Sequence, residues 1–407
     1  MTLFNSFFIG GFECATHYAR HGRRLDLLAA TQHDRYAGKD YERLQEYGIL
    51  TVREGIRWHR IETQPGQYEF GPALERIRAA GEMGMQVIWD LLHFGYPDGL
   101  DLFSPAFVRR FAGFAREFMR VLKSESNAVP FVTPINEISF LAYQGGEVGT
   151  INPFTTGRGN ELKAQLVRAT IESMEAMWEV APETRFVLVD PLFNAVAEDD
   201  DPGQVARARA YSHARYQAWD MIAGDLHPEL GGARKYLDII GVDYYPWNQW
   251  IYVSDRESGR SLSRQDPRHI PLHQLLAQVH KRYRRPLLIS ETSAEDHHRV
   301  DWLSYVGEQA RLALQAGVPL EGLCWYPIVD YPGWDNGRAC RTGLWGTCDA
   351  TGSRPVHEPL ARELTIQSAL IEQVRRSFLL PDSTACFTDA TDENAGIPYE
   401  DENTTSR

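Results

Sequence analysis

The sequence lacks the features that are typical of membrane-spanning, dinucleotide-binding and disulfide-stabilised proteins. No segment reaches the roughly 20 consecutive apolar residues that a membrane-spanning helix needs. No G-x-G-x-x-G or P-loop follows the first predicted strand, where the chain reads GGFECATH. The five cysteines are odd in number and irregularly spaced, so they predict no disulfide framework, and no CxxC pair or His cluster completes a metal site.

The chain also lacks a basic start and an excess of positive charge. Its first residues, MTLFNSFFIGGFECATH, are apolar without a basic segment, and Glu13 follows soon after. We therefore expect a first strand and not a signal peptide, in a soluble, cytoplasmic protein. The formal net charge of −13 argues against nucleic-acid and membrane partners, because both repel an acidic surface.

What the sequence does contain is an alternation of short apolar runs with longer segments of helical periodicity. The clearest helix begins at Ser104-Pro105, where an N-cap residue precedes a proline at the first helical position. Strands are predicted over 3–12, 49–53, 86–92, 131–136, 185–191, 236–245, 286–291 and 322–328. The other helices are predicted over 38–47, 72–82, 160–180, 204–224, 271–283, 299–316 and 357–377.

This alternation predicts an α/β fold, a (β/α)8 TIM barrel that forms a single domain over residues 1–378. A doubly wound open sheet is the alternative. Long βα loops are predicted after strand four (145–159), strand five (193–203) and strand six (246–270). Residues 379–407 are acidic and polar without periodicity, and predict a disordered tail.

In such a barrel, polar residues at the C-terminal ends of strands are candidates for catalysis. Two carboxylic acids, Glu137 and Glu291, fall at the ends of strands four and seven. Glycoside hydrolysis needs one carboxyl as acid/base and a second on the other side of the anomeric carbon. The strand-end residues are, in order, Glu13, Arg53, His93, Asn136, Glu137, Asp190, Asp243, Tyr244, Tyr245, Glu291 and Trp325.

Six segments at these strand ends, VREGIRWHRIE, DLLHFGYPDGL, TPINE, IGVDYY, LLISETS and CWYPIVDYPGWDN, resemble motifs of one enzyme group. The chain looks like clan A of the glycoside hydrolases, and its motifs are most similar to those of the family 1 β-glycosidases. The resemblance implies that Glu137 is the acid/base and Glu291 the nucleophile. It further implies that Arg53 and Tyr245 support the nucleophile and that Asn136 holds the sugar 2-hydroxyl. It implies no metal and no organic cofactor.

The same resemblance suggests residues that bind the sugar. His93 corresponds to the histidine that contacts the 3-hydroxyl, Trp325 to the tryptophan platform, and Trp334 to a second tryptophan at the rim. His17, Asp335 and Asn336 are further candidates, in segments where the chain departs from the family.

The departures concern contacts to the sugar more than the reaction centre. Thr292 follows the nucleophile where the family has Asn, and Asp243 stands where Asn is usual. The family's strand-one Gln is missing, and Gly333 precedes Trp334 where the family has Glu. The sugar and linkage therefore stay open.

The resulting expectation is a retaining β-glycoside hydrolase, β-glucosidase-like and acting on chain ends or small glycosides, with a carbohydrate as its partner. A transglycosidase that uses a sugar acceptor and a catalytically lapsed carbohydrate-binding barrel are alternatives. A metal-dependent barrel hydrolase would need a His-x-His pair at strand one, which the sequence does not contain.

Overall fold

The computed structural model describes residues 2–20, 22–254 and 257–377, and within them eight parallel strands form a closed barrel. The strands are β1 (Phe8–Gly11), β2 (Thr51–Gly55), β3 (Gln86–Asp90), β4 (Phe131–Thr133), β5 (Arg185–Pro191), β6 (Ile239–Asp243), β7 (Leu287–Thr292) and β8 (Leu320–Trp325). Each strand pairs with its neighbours in sequence, and β8 closes onto β1 through the register Ile9–Cys324. The predicted (β/α)8 barrel is confirmed.

A long helix follows each strand and covers the outside of the barrel. The eight helices are α1 (His33–Glu46), α2 (Gly71–Glu82), α3 (Pro105–Glu125), α4 (Gly159–Trp178), α5 (Pro202–His213), α6 (Leu272–Tyr283), α7 (His298–Gln315) and α8 (Glu358–Ser377). The single helix predicted over 204–224 is divided, because a 3-10 turn at Ala214–Tyr216 separates α5 from a short helix at Gln217–Ala223.

Smaller elements lie in the connections on the C-terminal side of the barrel. Short strands at Asn194–Val196, Gln249–Ser254 and Glu257–Ser261 form a three-stranded sheet from the connections after β5 and β6. After β4 come a helical turn at Ile138–Leu141 and a π-helix at Ala142–Glu147. After β8, Tyr331–Pro332 and Ala339–Cys340 pair as a hairpin. Two further short helices, Leu27–Ala30 and Trp58–Ile61, follow β1 and β2. Two others, Pro228–Leu230 and Arg234–Tyr236, precede β6 and so belong to a connection on the N-terminal side of the barrel.

Strand β2 carries two consecutive charges that face opposite sides of the sheet, as neighbouring strand residues must. Arg53 points into the barrel, and Glu54 points outward between the barrel and its helices. Glu54 contacts three buried side chains: His33 at 2.6 Å and Tyr41 at 2.7 Å, both from α1, and Arg76 at 2.7 Å from α2. These contacts replace the water that a buried carboxylate loses.

The network of buried charges on the outer face of β2 continues to the segment just before the last helix. The second nitrogen of His33 lies 2.8 Å from Asp40, and Arg354, just before α8, binds both oxygens of Asp40 at 2.8 and 2.9 Å. Burial alone lowers the pKa of His33, but the carboxylates of Glu54 and Asp40 outweigh it and raise that pKa overall. The network thus connects β2, the first two helices and the segment just before the last one.

Three further predictions concern the C-terminal tail, membrane-spanning helices and disulfide bonds. The predicted tail at 379–407 lies outside the described residues. Among the helices of the described ranges, none is long and apolar enough to cross a membrane. The four cysteines within those ranges, Cys14, Cys324, Cys340 and Cys348, are free thiols.

Candidate active site

A cavity of about 640 Å³ opens at the C-terminal ends of the barrel strands. Five of the predicted site residues line it: His93, Glu137, Tyr245, Glu291 and Trp334. A second cavity of about 620 Å³ lies between residues 194–200 and α5, and none of the strand-end carboxyls of the barrel lines it. The first cavity is therefore the candidate active site.

Glu291 is held on both of its carboxylate oxygens. It lies near the end of β7 and is only 4% exposed. Nη1 of Arg53 donates to one oxygen, and the Tyr245 hydroxyl donates to the other at 2.9 Å. Both oxygens of the Glu291 carboxyl therefore accept a hydrogen bond from a donor on another strand end or the loop that follows it.

Arg53 links Glu291 to two neighbouring strand ends. Its Nη2 donates to Asp90 at 2.7 Å and to the side-chain oxygen of Asn136. Burial lowers the pKa of Arg53, but the carboxylates of Glu291, Asp90 and Asp243 raise it well above its usual range. His93 completes the chain, with Nδ1 at 3.0 Å from Asp90 and Nε2 at 3.3 Å from the amide nitrogen of Asn136.

Glu137 lies in different surroundings. It precedes the helical turn at Ile138–Leu141 and has a left-handed backbone with a φ of 43°. The side chain is half-buried, and no described residue donates a hydrogen bond to its carboxyl. Burial raises the pKa of Glu137 well above its usual range, and the charges of Glu291 and Asp190 raise it further.

Two buried aspartates accompany this pair. Asp190, near the end of β5, accepts a hydrogen bond at 2.8 Å from the backbone N–H of Ser139, and burial raises its pKa to about 6. Asp243, at the end of β6, accepts a hydrogen bond at 2.6 Å from the hydroxyl of Ser290. Burial and then the charge of Glu291 raise the pKa of Asp243 well above its usual range.

Trp325 does not reach the cavity, which corrects the expectation of a stacking platform. It is 3% exposed, donates to the Thr342 carbonyl at 2.9 Å, and lies with Leu303 and Leu360 between the barrel and its helices. Side chains alternate along a strand, so the next residue points the other way. Tyr326 accordingly lines the cavity.

The remaining candidates lie beside the cavity without lining it. His17 is completely buried, with its ring 4.6 Å from that of Trp334 in an edge-to-face contact. Burial lowers the pKa of His17 to about 3, so it packs as a neutral ring. Asp335 and Asn336 are exposed at the tip of the hairpin after β8, where Asn336 accepts a hydrogen bond from the Arg338 backbone. None of these three candidates lines the cavity, so their positions do not support a contact with the sugar.

The cavity also contains residues that the motifs did not identify. Glu13, near the end of β1, and Glu295, which follows β7, line one side. The opposite side contains Lys163 and a group of aromatic residues: Phe140, Tyr143, Phe193, Tyr211, Trp247 and Trp250. The position of Glu13 near a strand end is a sequence feature that predicts a place in the cavity. The aromatic residues lie in the turn after β4 and in the connections after β5 and β6, where position along the chain carries little information about side-chain direction.

Within the described ranges, one group has the spacing of metal ligands: Cys14, Asp90 and His93, whose ligand atoms lie within 4.8 Å of one another. One oxygen of Asp90 already contacts both Arg53 and His93. A cation at that point would be repelled by the guanidinium group of Arg53, and it would compete with Arg53 and His93 for this oxygen of Asp90.

Comparison with known proteins supports the fold. No protein-family model and no curated protein sequence matches the chain. Among solved structures, the β-glucosidase from Thermotoga maritima in complex with castanospermine has a TM-score of 0.72 at 18% identity, covering 91% of this chain and 98% of that one. The AHE enzyme from Alicyclobacillus herbarius has a TM-score of 0.75 at 19% identity, covering 91% and 99%. A family 1 β-glucosidase from Thermotoga maritima has a TM-score of 0.69 at 18% identity, covering 88% and 90%. The chain therefore shares the (β/α)8 barrel fold of these solved structures.

Proposed function

We propose that the protein is a retaining β-glycoside hydrolase, β-glucosidase-like, that acts on chain ends or small glycosides. The observation that carries the proposal is the pair of carboxyls in one cavity, Glu291 fixed by Arg53 and Tyr245, and Glu137 without a described donor. The solved structures with similar folds include a β-glucosidase in complex with castanospermine and with glucoimidazole, which is consistent with a carbohydrate substrate.

In the first step, the Glu291 carboxylate attacks the anomeric carbon, and Glu137 gives its proton to the departing oxygen. The raised pKa of Glu137 keeps that proton in place near neutral pH. Forming the glycosyl ester removes the negative charge of Glu291. The pKa of Glu137 then falls, because one of its causes is gone, and Glu137 takes a proton from the water that releases the sugar.

The test is incubation with nitrophenyl β-glycosides while NMR follows the configuration of the released sugar. We expect the β-anomer to appear first and the α-anomer to form only by mutarotation. Initial release of the α-anomer would overturn the retaining assignment. Unchanged turnover in both Glu137→Gln and Glu291→Gln would show that the site is wrong.

Transglycosylation is a second candidate, which the aromatic side of the cavity favours. Trp247 is 54% exposed and stacks on Tyr245 with ring centroids 5.2 Å apart, so a flat face is available next to Glu291. A sugar acceptor that stacks there would replace water in the second step. Product analysis at high acceptor concentration separates the two reactions. A lapsed carbohydrate-binding barrel would bind sugars without either product.

For domain organisation, we propose that residues 1–378 are the catalytic unit and that the tail at 379–407 takes no part in the reaction. A chain that ends at residue 378 should keep the full kcat/KM on nitrophenyl glycosides.

A further inference from the structure

The backbone around Glu137 is held from both neighbouring strands, by a different kind of contact on each side. Strand β4 has three residues and ends before Glu137, so its own ladder does not reach this residue. On the β3 side, the Asn136 N–H donates to the Leu92 carbonyl at 3.0 Å. On the β5 side, the Ser139 N–H donates to Oδ1 of Asp190 at 2.8 Å. A side chain thus holds the segment from the β5 side.

This side-chain contact lies where the backbone pairing between β4 and β5 has stopped. The pairing comprises two registered residue pairs, both at the start of β5. In the described ranges, no backbone–backbone hydrogen bond joins the helical turn at Ile138–Leu141 to β5. The Ser139 N–H belongs to the first turn of that segment, where N–H groups have no acceptor within the helix. The Asp190 carboxyl supplies the missing acceptor.

Asp190 is placed to hold this backbone and not to contact a substrate. It is 1% exposed and is not among the residues that line the cavity, whereas Ser139 and Glu137 both line it. Its other oxygen accepts no hydrogen bond from a described residue. Burial raises its pKa to about 6, and the charge of Lys163, from α4, opposes that rise. Asp190 can therefore influence the reaction through Glu137, either by its charge or by its hold on the turn.

Glu137 needs such a hold because its backbone is left-handed, with a φ of 43°. This region is strained for a residue other than glycine, so it persists only where the surrounding structure imposes it. A turn that relaxed toward an ordinary backbone would redirect the Glu137 side chain. Displacement of a reacting group by about 1 Å can lower a rate by about 100-fold.

We propose that Asp190 is a positioning residue, which accepts the Ser139 N–H and so fixes the turn after β4 with the Glu137 carboxyl directed at the leaving oxygen. The inference rests on the proposed function for the role of Glu137. The hold is separate from the effect of the Asp190 charge on Glu137, because a neutral amide oxygen accepts the same hydrogen bond.

The test compares Asp190→Ala, which loses both the charge and the acceptor, with Asp190→Asn, which loses only the charge. We measure kcat/KM for ethyl and dinitrophenyl β-glucosides, with each variant at its own pH optimum. Asp190→Ala should lower kcat/KM by about 10- to 100-fold for the ethyl glucoside, whose leaving oxygen needs a proton from Glu137. For the dinitrophenyl glucoside, which leaves without protonation, the loss should be less than about threefold. Asp190→Asn should stay within about threefold of wild type on both substrates.

Asp201→Ala is the matched control. Asp201 accepts the Gln204 N–H at 2.8 Å at the start of α5, and it is not among the residues that line the cavity. Its loss should leave both kcat/KM values unchanged. Hydrogen–deuterium exchange over residues 137–147 gives a readout that needs no turnover. Exchange there should be faster in Asp190→Ala than in wild type, and unchanged in Asp190→Asn and Asp201→Ala.

A merely structural role for Asp190 would change both substrates alike. An equal change on the two glucosides in Asp190→Ala, or no change on either, would therefore overturn the inference. So would a loss of about tenfold or more on the ethyl glucoside in Asp190→Asn, or unchanged exchange over 137–147 in Asp190→Ala. If Asp190→Ala does not fold, as judged by circular dichroism, the kinetics of Asp190→Asn decide. If wild type turns over neither glucoside, the proposed function fails, and the exchange still decides whether Asp190 holds the turn.

Discussion

The ends of β4 and β7 each supply a carboxyl group to one cavity, and the two groups differ in nearly every contact. Glu291 lies near the end of a six-residue strand, and its two carboxylate oxygens accept hydrogen bonds from Arg53 and Tyr245. Glu137 follows a three-residue strand, has a left-handed backbone, and has no described hydrogen-bond donor. A left-handed backbone costs a non-glycine residue about 1–2 kcal/mol, so the surrounding structure must hold Glu137 in place.

The difference shows how one residue type serves two chemical roles. A carboxyl surrounded by donors is stabilised as an anion, whereas a carboxyl near other carboxylates and away from donors keeps its proton. In the proposed mechanism these surroundings make Glu291 the nucleophile and Glu137 the acid, and each of the following experiments changes the surroundings or the identity of one of the two.

The largest effect is expected from removing the anion at β7. Glu291→Gly should lower kcat by at least about 10⁴-fold, because the covalent route is lost. Added azide should fill the space, attack the anomeric carbon and give a glycosyl azide of inverted configuration. Product identification by NMR checks this, and a variant that keeps more than a tenth of wild-type kcat contradicts the assignment.

Removing the acid at β4 should have a smaller and substrate-dependent effect. Glu137→Ala should lower the rate by about 10²- to 10⁴-fold for alkyl glycosides, whose leaving oxygen needs a proton. Dinitrophenyl glycosides, which leave without protonation, should form the glycosyl-enzyme almost as fast as with wild type. Pre-steady-state release of dinitrophenol measures that step. An equal loss with both substrates would mean that Glu137 is not the acid.

The donors around Glu291 can be reduced by one hydroxyl. Tyr245→Phe should lower kcat/KM by about 10- to 100-fold, the value of one hydrogen bond to a charged group. Tyr244→Phe is the matched control, since that hydroxyl accepts from Gln249 at 2.9 Å and the residue does not line the cavity. Similar kinetics for the two variants would show that the Tyr245 contact is not used in the reaction.

The smallest effect should appear in the pH profile. The negative charge of Asp190 raises the pKa of Glu137, because it disfavours a second anion nearby. Asp190→Asn removes that charge and keeps an oxygen to accept from Ser139. The pKa of Glu137 should fall, so the basic limb of the kcat/KM profile should move to lower pH while the maximum changes only a few-fold. A basic limb that stays in place or moves to higher pH contradicts the coupling.

Much of the fold could be predicted because periodicity is a local property of the chain. All eight strands and the helix pattern follow from it, with errors of a few residues at the ends, such as 3–12 against Phe8–Gly11. The division of the helix over 204–224 could not be predicted, because the apolar pattern continues through the turn.

For the site, motifs identify strand ends better than side-chain directions. They give the positions of Glu137 and Glu291, which the barrel then brings into one cavity. They fail at Trp325, because the side chain of the next residue, Tyr326, lines the cavity, whereas Trp325 lies between the barrel and its helices. They also fail at Glu295, which lines the cavity and accepts hydrogen bonds from Arg338, a residue of the hairpin after β8. Both failures come from long-range packing, which spacing along one strand does not encode.

The buried charges on the outer face of β2 have a consequence for where the chain can be cut. Arg354 compensates Asp40, which in turn orients His33 against Glu54, one residue from the Arg53 that holds Glu291. A chain shortened to end before Arg354 would remove the guanidinium group that binds both oxygens of buried Asp40, and would leave Asp40 with His33 at 2.8 Å and Arg43 at 3.8 Å. Loss of one partner of a buried ion pair costs about 3–5 kcal/mol, a large part of the stability of an ordinary domain. Truncation or circular permutation of the chain should therefore keep the ion pair between Arg354, just before the last helix, and Asp40 in the first helix.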